Sequence, residues 1–196
     1  MSSSSSTKRH TASSLLRQVN LHKDIVPKGR HGHWKNMPMR PRYITIHSTQ
    51  NYTGDAYDHA RALQKGALRG RNRIGYLIWH YTVQDDVAIQ HLPTNQQGEH
   101  ADVDGMGNRT SIGIEMCEHR GNDHYRTLDR TAKLAAYLMK IHNIPLNNVV
   151  PHYHWPRAGQ TPAHKNCPHF LMDNGRPGRK WSAFINQIRR HYRTIS

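Results

Sequence analysis

The chain has 196 residues, enough for one folded core with additional segments, and no stretch approaches the roughly 20 apolar residues that cross a membrane. Its net charge of +15 is carried by its ends, because residues 1–46 hold nine Lys and Arg, residues 157–196 hold eight, and each range has one acidic residue. The neutral middle and basic ends predict attraction to a polyanion such as nucleic acid, an anionic membrane or an acidic polymer, and two cysteines exclude a disulfide-rich scaffold.

The first forty residues differ from the rest in composition. Residues 1–40 are rich in Ser, Lys, Arg, His and Pro, which predicts a basic low-complexity arm or linker that buries little surface. The segment 1–18 also lacks the apolar core of a secretory signal. We therefore expect one folded domain over residues 41–196.

Strand patterns come first in this predicted domain. β-branched or alternating stretches predict strands in "YITIHST" (43–49), in the two halves of 74–92 around the turn Asp85–Asp86, and in "SIGIEMC" (111–117). The last of these strands separates its side chains by type. One face carries Ile112, Ile114 and Met116, and the other carries Ser111, Gly113, Glu115 and Cys117.

Helix patterns are interleaved with the strands. Apolar residues at helical spacing predict helices over 127–143 and 180–192, and a further helix should begin at Thr53 or Asp55 and stop at Gly66. Helices of this length can cover a sheet on both faces. The expected fold class is therefore α/β, a single domain with a central mixed β-sheet flanked by helices.

Seventeen histidines exceed what a structural protein of this size needs, so chain position has to select the candidates. His47 ends the first strand, His152 lies in "NVVPHYHW", and Cys167 lies in "KNCPHF". Two imidazoles and one thiolate, with the fourth position left to water, form an accepted catalytic zinc site. Separations of 105 and 15 residues exclude a local zinc clip and favour a dispersed site held by a preformed sheet.

Two further side chains would complete a site for metal-assisted hydrolysis. Glu115 lies on the strand face opposite the apolar residues, where a carboxylate is out of place unless it faces a cleft. It would act as the base that takes the proton of the metal-bound water. Lys165, two residues before Cys167, would supply the cation that stabilises an oxyanion.

Each candidate also has an ordinary explanation. His47 could close a strand by hydrogen bonding, and the glutamate and the lysine could be solvated surface charges. His154 competes with His152 for the ligand role, because two residues along an extended chain return to the same side. Cys167 could be an inert buried thiol or a nucleophile, although the nearby His169 is too close in sequence to indicate a base.

Four stretches resemble, in order and spacing, the zinc-dependent N-acetylmuramoyl-L-alanine amidases of the peptidoglycan recognition protein fold, especially bacterial and phage lytic amidases. They are "YITIHST", "HYTVQDDVAIQHLPTNQQGEHAD", "NRTSIGIEMC" and "VVPHYHWPRAGQTPAHKNCPHF", and the resemblance covers roughly residues 41–190. It implies a mixed sheet flanked by helices, with one zinc ion in a groove above the sheet. It also implies cleavage of the amide between N-acetylmuramic acid and the L-alanine of the stem peptide.

The resemblance assigns the same residues by motif. It makes His47, His152 and Cys167 the zinc ligands, and it makes Glu115 and Lys165 the catalytic residues.

Substrate contacts are implied as well, with three departures from the family pattern. His100 in "EHAD" matches the histidine of the family's "WHAG" loop, but Glu99 replaces the tryptophan. The place of a tyrosine that many relatives carry near the metal falls on Trp79 or His80, with Tyr81 on the other face. The stretch "RAGQT" lengthens the ligand loop and reshapes one rim of the groove.

Three functions from different classes fit parts of this pattern. A peptidoglycan hydrolase is favoured, because a recognition module without activity resembles members that lose the cysteine ligand, and Cys167 is present. A nucleic-acid binder would explain the charge but lacks a zinc finger or a basic helix. We expect a monomer with peptidoglycan as partner, an anionic wall polymer or membrane surface at the basic termini, no specific nucleic acid and no transmembrane segment. We expect the protein to act in the cell wall or periplasm. It would be encoded by a phage or exported by a non-classical route.

Overall fold

The computed structural model describes residues 9–70 and 74–196. Within these residues, the main sheet contains β1 (Leu21–Lys23), β2 (Tyr43–Ser48), β5 (Tyr81–Val83), β6 (Ala88–Gln90), β7 (Ser111–Met116) and β8 (Val149–Pro151). Two short hairpins are formed by β3 (Arg69–Gly70) with β4 (Gly75–Tyr76) and by β9 (Met172–Asp173) with β10 (Arg176–Pro177). The helices are α1 (Ala12–Val19), α2 (Ala56–Gln64), α3 (Met106–Thr110), α4 (His124–His142) and α5 (Arg179–Thr194).

The main sheet is mixed, with strand order β1-β6-β5-β7-β2-β8. β5 and β6 pair antiparallel around the predicted turn at Asp85–Asp86, and the other strand pairs of this sheet are parallel. β2 lies between β7 and β8, in a register that pairs His47 with Glu115. The predicted α/β class with a mixed sheet is confirmed.

The two faces of the sheet have different chemistry. On one face, apolar side chains of β2, β5 and β7 form the main core together with buried residues of α1, α4 and α5. On the opposite face, α2 packs on β5 and β6, while the rest of that face carries polar side chains. The apolar face of the two central strands consists of Ile44, Ile46, Ile112, Ile114 and Met116.

Local capping signals explain where the helices begin and end. At the start of α2, the Asp55 side chain accepts a hydrogen bond from the backbone N–H of Asp58 at 2.7 Å. The Asp58 side chain accepts one from the backbone N–H of Asp55 at 3.1 Å. Gly66, with φ of +63°, follows the end of α2. Of the two predicted starts, Thr53 and Asp55, the structure has Asp55, and the predicted stop at Gly66 is confirmed.

None of the helices in the described ranges is long and apolar enough to span a membrane.

The structure differs from the predicted arm at residues 1–40. α1 buries Leu15 and Val19 in the main core, and β1 extends the sheet by pairing in parallel with β6. Leu15 and Val19 are four residues apart, so they share one helical face, and Thr11 caps the helix by accepting from the N–H of Ser14. The polar residues on the other face dominate the composition and conceal this pattern. The folded unit therefore includes the described residues before Pro41, and residues 1–8 lie outside the described ranges.

Replacing Leu15 with Ala should lower the free energy of unfolding by about 2–5 kcal/mol, because this leucine is only 1% exposed and its loss leaves a cavity. Urea denaturation measures the effect. The control is Arg17→Ala on the exposed side of the same helix, which we expect to change stability by less than about 0.5 kcal/mol. Equally small changes in both variants would show that α1 is not part of the cooperative fold.

Candidate metal centre and groove

Three strand ends bring the candidate residues to one edge of the sheet. His47 and Glu115 are the penultimate residues of β2 and β7 and are paired in the parallel register. β8 ends at Pro151, directly before His152. The carboxyl ends of parallel strands lie at the same edge, and paired residues share a face. The side chains of His47, Glu115 and His152 therefore meet at the carboxyl end of the polar face.

His47, His152 and Cys167 form a buried cluster. Their candidate donor atoms all lie within 4.8 Å of one another, and the Nδ1 atoms of the two histidines are 2.9 Å apart. The loop that carries the cysteine is tied to the histidine loop, because the N–H of Tyr153 donates to the carbonyl oxygen of Cys167 at 3.1 Å. Among the described residues, this is the one His, Cys, Asp and Glu group with metal-binding spacing.

The two histidines of the cluster are neutral rings. Burial and the neighbouring His152 lower the pKa of His47 well below its usual value, and burial lowers the pKa of His152 to about 3. Nε2 of His152 donates to the carbonyl oxygen of Ala101 at 2.8 Å, since a carbonyl can only accept. Nδ1 of His152 therefore carries no proton and directs its lone pair into the cluster.

The surroundings of Cys167 favour a ligand over a free nucleophile. Burial raises the pKa of this thiol to about 12, and the nearby Glu115 adds to the rise. A thiol with so high a pKa is a poor nucleophile, because the thiolate is the reactive form. A bound cation, in contrast, deprotonates a coordinating thiol outright.

Glu115 lies beside the cluster and faces inward. Its Oε1 is 3.9 Å from Nδ1 of His47, and its side chain is 15% exposed. Its Oε2 is buried without a hydrogen-bond partner. Burial raises the pKa of Glu115 to about 7, although attraction to Lys165 opposes this rise. These properties argue against a solvated surface charge, and the free oxygen can accept a bond from a donor that enters the groove.

A groove opens next to the cluster. A cavity of about 500 Å³ is lined by His100, His152 and Lys165, so the lysine lies where a substrate would approach. The lengthened loop "RAGQT" contributes to the rim of the same cavity. Its lining residues are Arg157, Ala158 and Gln160.

The groove continues away from the cluster toward the N-terminal segment. An adjoining cavity of about 610 Å³ shares Arg69, Ile74 and Glu99 with the first. Its far wall includes Trp34, which is 58% exposed, and Lys35. Residues of the predicted N-terminal arm thus line the groove.

The burial of Trp79 and His80 argues against the predicted contact of these residues with substrate. Trp79 is 6% exposed, and its Nε1 donates to the hydroxyl of Thr82 at 2.7 Å. His80 is fully buried: its Nδ1 accepts from the N–H of Gly113 at 3.0 Å, and its Nε2 donates to the carbonyl oxygen of Gln96 at 2.9 Å. Their polar atoms are satisfied within the protein, so both side chains support the polar face of the sheet from inside. Alternation along the strand predicts which face a side chain occupies, but it does not predict how deeply that side chain is buried.

His100 lines the groove, and its ring lies against His47. Its Nδ1 is 3.0 Å from Nε2 of His47, and its Nε2 is 3.2 Å from the carbonyl oxygen of Ser111. Burial lowers the pKa of His100 to about 3, so the ring is neutral. A substrate contact by this residue stays a prediction.

His154, the rival of His152, lies outside the cluster. Its ring packs edge-on against Trp155, with centroids 4.6 Å apart, and a second aromatic neighbour is Tyr43 at 6.2 Å. The short helical turn that starts at His152 breaks the extended alternation that would have placed both rings on one side.

Three residues support the cysteine loop in a way that the sequence did not predict. The hydroxyl of Ser48 accepts from the N–H of His169 at 3.3 Å, which ties this loop to the end of β2. Glu118 is 4% exposed, and its Oε1 lies 3.3 Å from Nδ1 of His169. Ser48 and His169 are 121 residues apart, and no motif links them.

Comparison with known proteins identifies the family. The Amidase_2 model, described as N-acetylmuramoyl-L-alanine amidase, matches residues 37–170. The chain belongs to this family. The relative CwlH of Bacillus subtilis (strain 168), named an N-acetylmuramoyl-L-alanine amidase, is 38% identical over 177 residues, which cover 87% of this chain and 61% of CwlH. XlyA of the same strain, with the same activity in its name, is 39% identical over 169 residues, which cover 85% of this chain and 50% of XlyA.

A solved structure agrees with the family assignment. The catalytic domain of XlyA matches with a TM-score of 0.70 at 39% identity, covering 86% of this chain and 99% of that domain. The resemblance to lytic amidases and the expected fold are thereby confirmed. The chain spans about half to three fifths of the length of the two curated relatives.

Proposed function

We propose that this amidase-family chain is a zinc-dependent peptidoglycan hydrolase that cleaves the amide bond between N-acetylmuramic acid and the L-alanine of the stem peptide. One observation carries the proposal: the buried His, His and Cys donor set lies beside a carboxylate oxygen without a partner, at the edge of an open groove. The matching family model and the names of CwlH and XlyA support the choice of reaction.

His47, His152 and Cys167 would hold the zinc ion. Imidazole nitrogen and thiolate sulfur are the donors that catalytic zinc sites use when they keep one position open. Donor atoms within 4.8 Å of one another suit a single ion. When bound, zinc supplies a water of lowered pKa and polarises the substrate carbonyl.

Glu115 would transfer the proton, and Lys165 would stabilise the negative charge that develops on the carbonyl oxygen. Glu115 takes the proton of the attacking water and returns it to the departing amine nitrogen of L-alanine, so the products are a lactyl carboxylate and a free amine. Lys165 lines the groove beside His152, where its ammonium group can donate to the carbonyl oxygen as negative charge develops. The buried, partnerless Oε2 of Glu115 supports the base role.

A recognition module without activity is the weaker alternative. Binding alone needs neither a cysteine ligand nor a buried carboxylate, and a buried carboxylate oxygen without a partner is costly to keep. Both features are present in this chain.

Glu115→Gln should lower the rate of amide hydrolysis roughly 100- to 10,000-fold while zinc content is kept, because the general base is lost. Cys167→Ser should lose both zinc and hydrolysis. Mass spectrometry of the products from purified peptidoglycan measures cleavage, with free stem peptides and intact glycan as the expected products of the unsubstituted protein. Metal analysis of the same samples measures zinc.

The second cysteine provides a matched control for these variants. Cys117 is buried in a different cluster of side chains, so Cys117→Ser should keep zinc and hydrolysis. Full activity in Cys167→Ser would contradict the metal site. Unchanged sacculi that still bind the unsubstituted protein would support the recognition module instead.

We also propose that the basic ends bind an anionic wall polymer. The N–H of His10 donates to the carbonyl oxygen of Thr194 at 2.7 Å, and the N–H of Ser196 donates back to His10 at 3.0 Å. The two basic ends, far apart in sequence, therefore adjoin in the fold. Exposed arginines there would attract repeated phosphate or carboxylate groups and bring the groove to the cell wall. The exposed arginines near the carboxyl end of α5 are Arg189, Arg190 and Arg193.

Replacing Arg189, Arg190 and Arg193 together with Gln should weaken binding to sacculi at low salt, because three exposed positive charges are removed. The difference should shrink as salt is raised, since exposed charges are screened beyond about 10 Å at 0.1 M salt. Co-sedimentation with purified sacculi over a salt series measures both effects.

The control carries the same number of substitutions outside α5. It replaces the exposed residues Arg61, Lys65 and Arg120 with Gln and should bind sacculi more tightly than the α5 variant. Equal weakening in both variants would mean that net charge alone drives binding. If the α5 variant bound anionic lipid vesicles more weakly but bound sacculi as tightly as the unsubstituted protein, the result would contradict binding to a wall polymer and favour a membrane surface.

A further inference from the structure

We propose that Trp34 forms a subsite for the glycan strand, where its indole packs against a sugar ring beyond the one that carries the scissile amide. The inference rests on the proposed hydrolase and deepens it, because it names the part of the substrate that occupies the cavity of about 610 Å³, here called the far cavity. It follows from the exposure of Trp34, the anchoring of its segment, and the continuity of the groove.

Trp34 is part of an exposed apolar patch in a concave wall. Its side chain is 58% exposed, and Met37, which lines the same cavity, is 44% exposed. The volume of the far cavity lies within the range of about 300–1,000 Å³ that is typical of ligand sites. Apolar surface that stays open to water inside such a cavity indicates a place where a ligand covers it.

The segment that carries Trp34 is anchored on its N-terminal side. His33 is 5% exposed, and its Nδ1 donates to the carbonyl oxygen of Val26 at 2.7 Å. A Cβ atom at Gly32 would lie 2.5 Å from Cβ of Ile78, so only glycine lets the backbone approach this closely. Val26 and Ile78 belong to one buried cluster. The backbone just before Trp34 is therefore packed against the interior of the domain.

The same segment is anchored on its C-terminal side. The N–H of Gln97 donates to the carbonyl oxygen of Met37 at 2.9 Å, and Nε2 of Gln97 donates to that of Pro38 at 3.0 Å. The N–H of Met39 donates to the carbonyl oxygen of Asn95 at 2.7 Å. Because the backbone is held on both sides of the tryptophan, a ligand that packs on the indole has little backbone to order, which lowers the entropic cost of binding.

The distribution of aromatic residues along the groove favours a sugar at the far end. Trp34 and Tyr76 line the far cavity, whereas none of the described residues that line the cavity beside the metal cluster is Trp, Tyr or Phe. The guanidinium of Arg69 lies 3.9 Å from the ring centroid of Tyr76 and covers one face of that ring. Pyranose rings have a face of C–H groups that packs on the electron-rich face of an aromatic ring. Trp34 offers the more open ring for this contact.

The charged side chains of the far cavity have both signs. Lys35, Arg69 and Arg109 can donate to hydroxyl groups, and Glu99 and Asp104 can accept from them. A stem peptide carries free carboxylates, which the two acidic residues would repel. Sugar hydroxyls donate and accept without a charge of their own. The mixed lining therefore suits a ligand that is uncharged and rich in hydroxyl groups.

The position of Trp34 suits a polymer that extends from the cleaved bond. Arg69, Ile74 and Glu99 line both the far cavity and the cavity beside the metal cluster, so the two are continuous. A glycan strand that enters with one sugar at the metal cluster can reach the tryptophan with another. Trp34 precedes residues 37–170, which match the family model, so the family assignment does not predict this contact.

Binding of a glycan without stem peptides tests the subsite without catalysis. The probe is a tetramer of N-acetylglucosamine, and a synthetic stem peptide without sugar is the comparison ligand. We expect Trp34→Ala to bind the tetramer about 5- to 30-fold more weakly, as when an aromatic anchor is truncated, and Trp34→Phe to stay within about threefold. Isothermal titration calorimetry of the zinc-loaded protein measures both affinities.

A matched control and a spectroscopic signal accompany this titration. Tyr125→Ala removes an aromatic side chain that is 86% exposed and lines neither cavity, so it should leave tetramer binding unchanged. Trp34 is far more exposed than Trp79 and Trp155, which are each 6% exposed. Tryptophan emission of the unsubstituted protein should therefore shift to shorter wavelength when the tetramer binds, and Trp34→Phe should bind without this shift.

Two substrates with the same stem peptide connect the subsite to the reaction. One carries the peptide on a single N-acetylmuramic acid, and the other carries it on a glycan of several sugars. Trp34→Ala should raise the KM of the longer substrate more than that of the shorter one and change kcat little, because the indole binds the glycan away from the scissile bond. Tyr125→Ala should leave both substrates unaffected.

Three outcomes separate the subsite from its alternatives. Failure of the unsubstituted protein to bind the tetramer, or equal tetramer affinity in Trp34→Ala, would overturn the proposal. Weaker binding of the stem peptide with unchanged tetramer binding would also overturn it and would assign the far cavity to the peptide. A protein that binds the tetramer through Trp34 but leaves peptidoglycan intact would refute the hydrolase and not the glycan subsite.

Discussion

The parallel register of β2 and β7 is the constraint on which the site depends. It sets His47 beside Glu115 and Thr45 beside Gly113, while isoleucines of the same strands pair on the other face. A slip of one residue would turn every side chain of one strand to the opposite face. His47 would then point into the apolar core, and isoleucines would face the groove. The burial of those isoleucines against α4 therefore fixes the position of the site.

The polar face of the sheet is costly to bury, and most of it is satisfied by its own contacts. The hydroxyl of Thr45 donates to Ser111 at 2.7 Å and accepts from Nε1 of Trp155 at 2.9 Å. Oε2 of Glu115 is one of the buried side-chain atoms that have no partner in the protein, and its carboxylate lies beside His47. A buried polar atom without a partner is costly to keep, so this oxygen favours the entry of a donor at this point of the groove.

The parts of this structure that local patterns encode were predictable from the sequence. The alternation of apolar and polar residues predicted which side chains of β7 share a face. His47 and His152 were predicted as ligands because they lie at strand ends, and the carboxyl ends of parallel strands meet at one edge of a sheet. The sequence did not predict that α1 packs on the domain, because this helix needs only two fully buried apolar residues to join a core that other helices supply. His80 is buried partly because the segment around Gln96, which follows it in the chain, contacts its ring. The periodicity of a strand does not predict that a distant segment will cover one of its side chains.

X-ray absorption at the zinc edge of the zinc-loaded protein would show whether His47, His152 and Cys167 bind a single zinc ion. We expect one sulfur at about 2.3 Å and nitrogen or oxygen neighbours at about 2.0–2.1 Å, with the sulfur absent in Cys167→Ser. A zinc shell without sulfur in the unsubstituted protein, or the same sulfur signal in that variant, would mean that these three residues do not form the metal site.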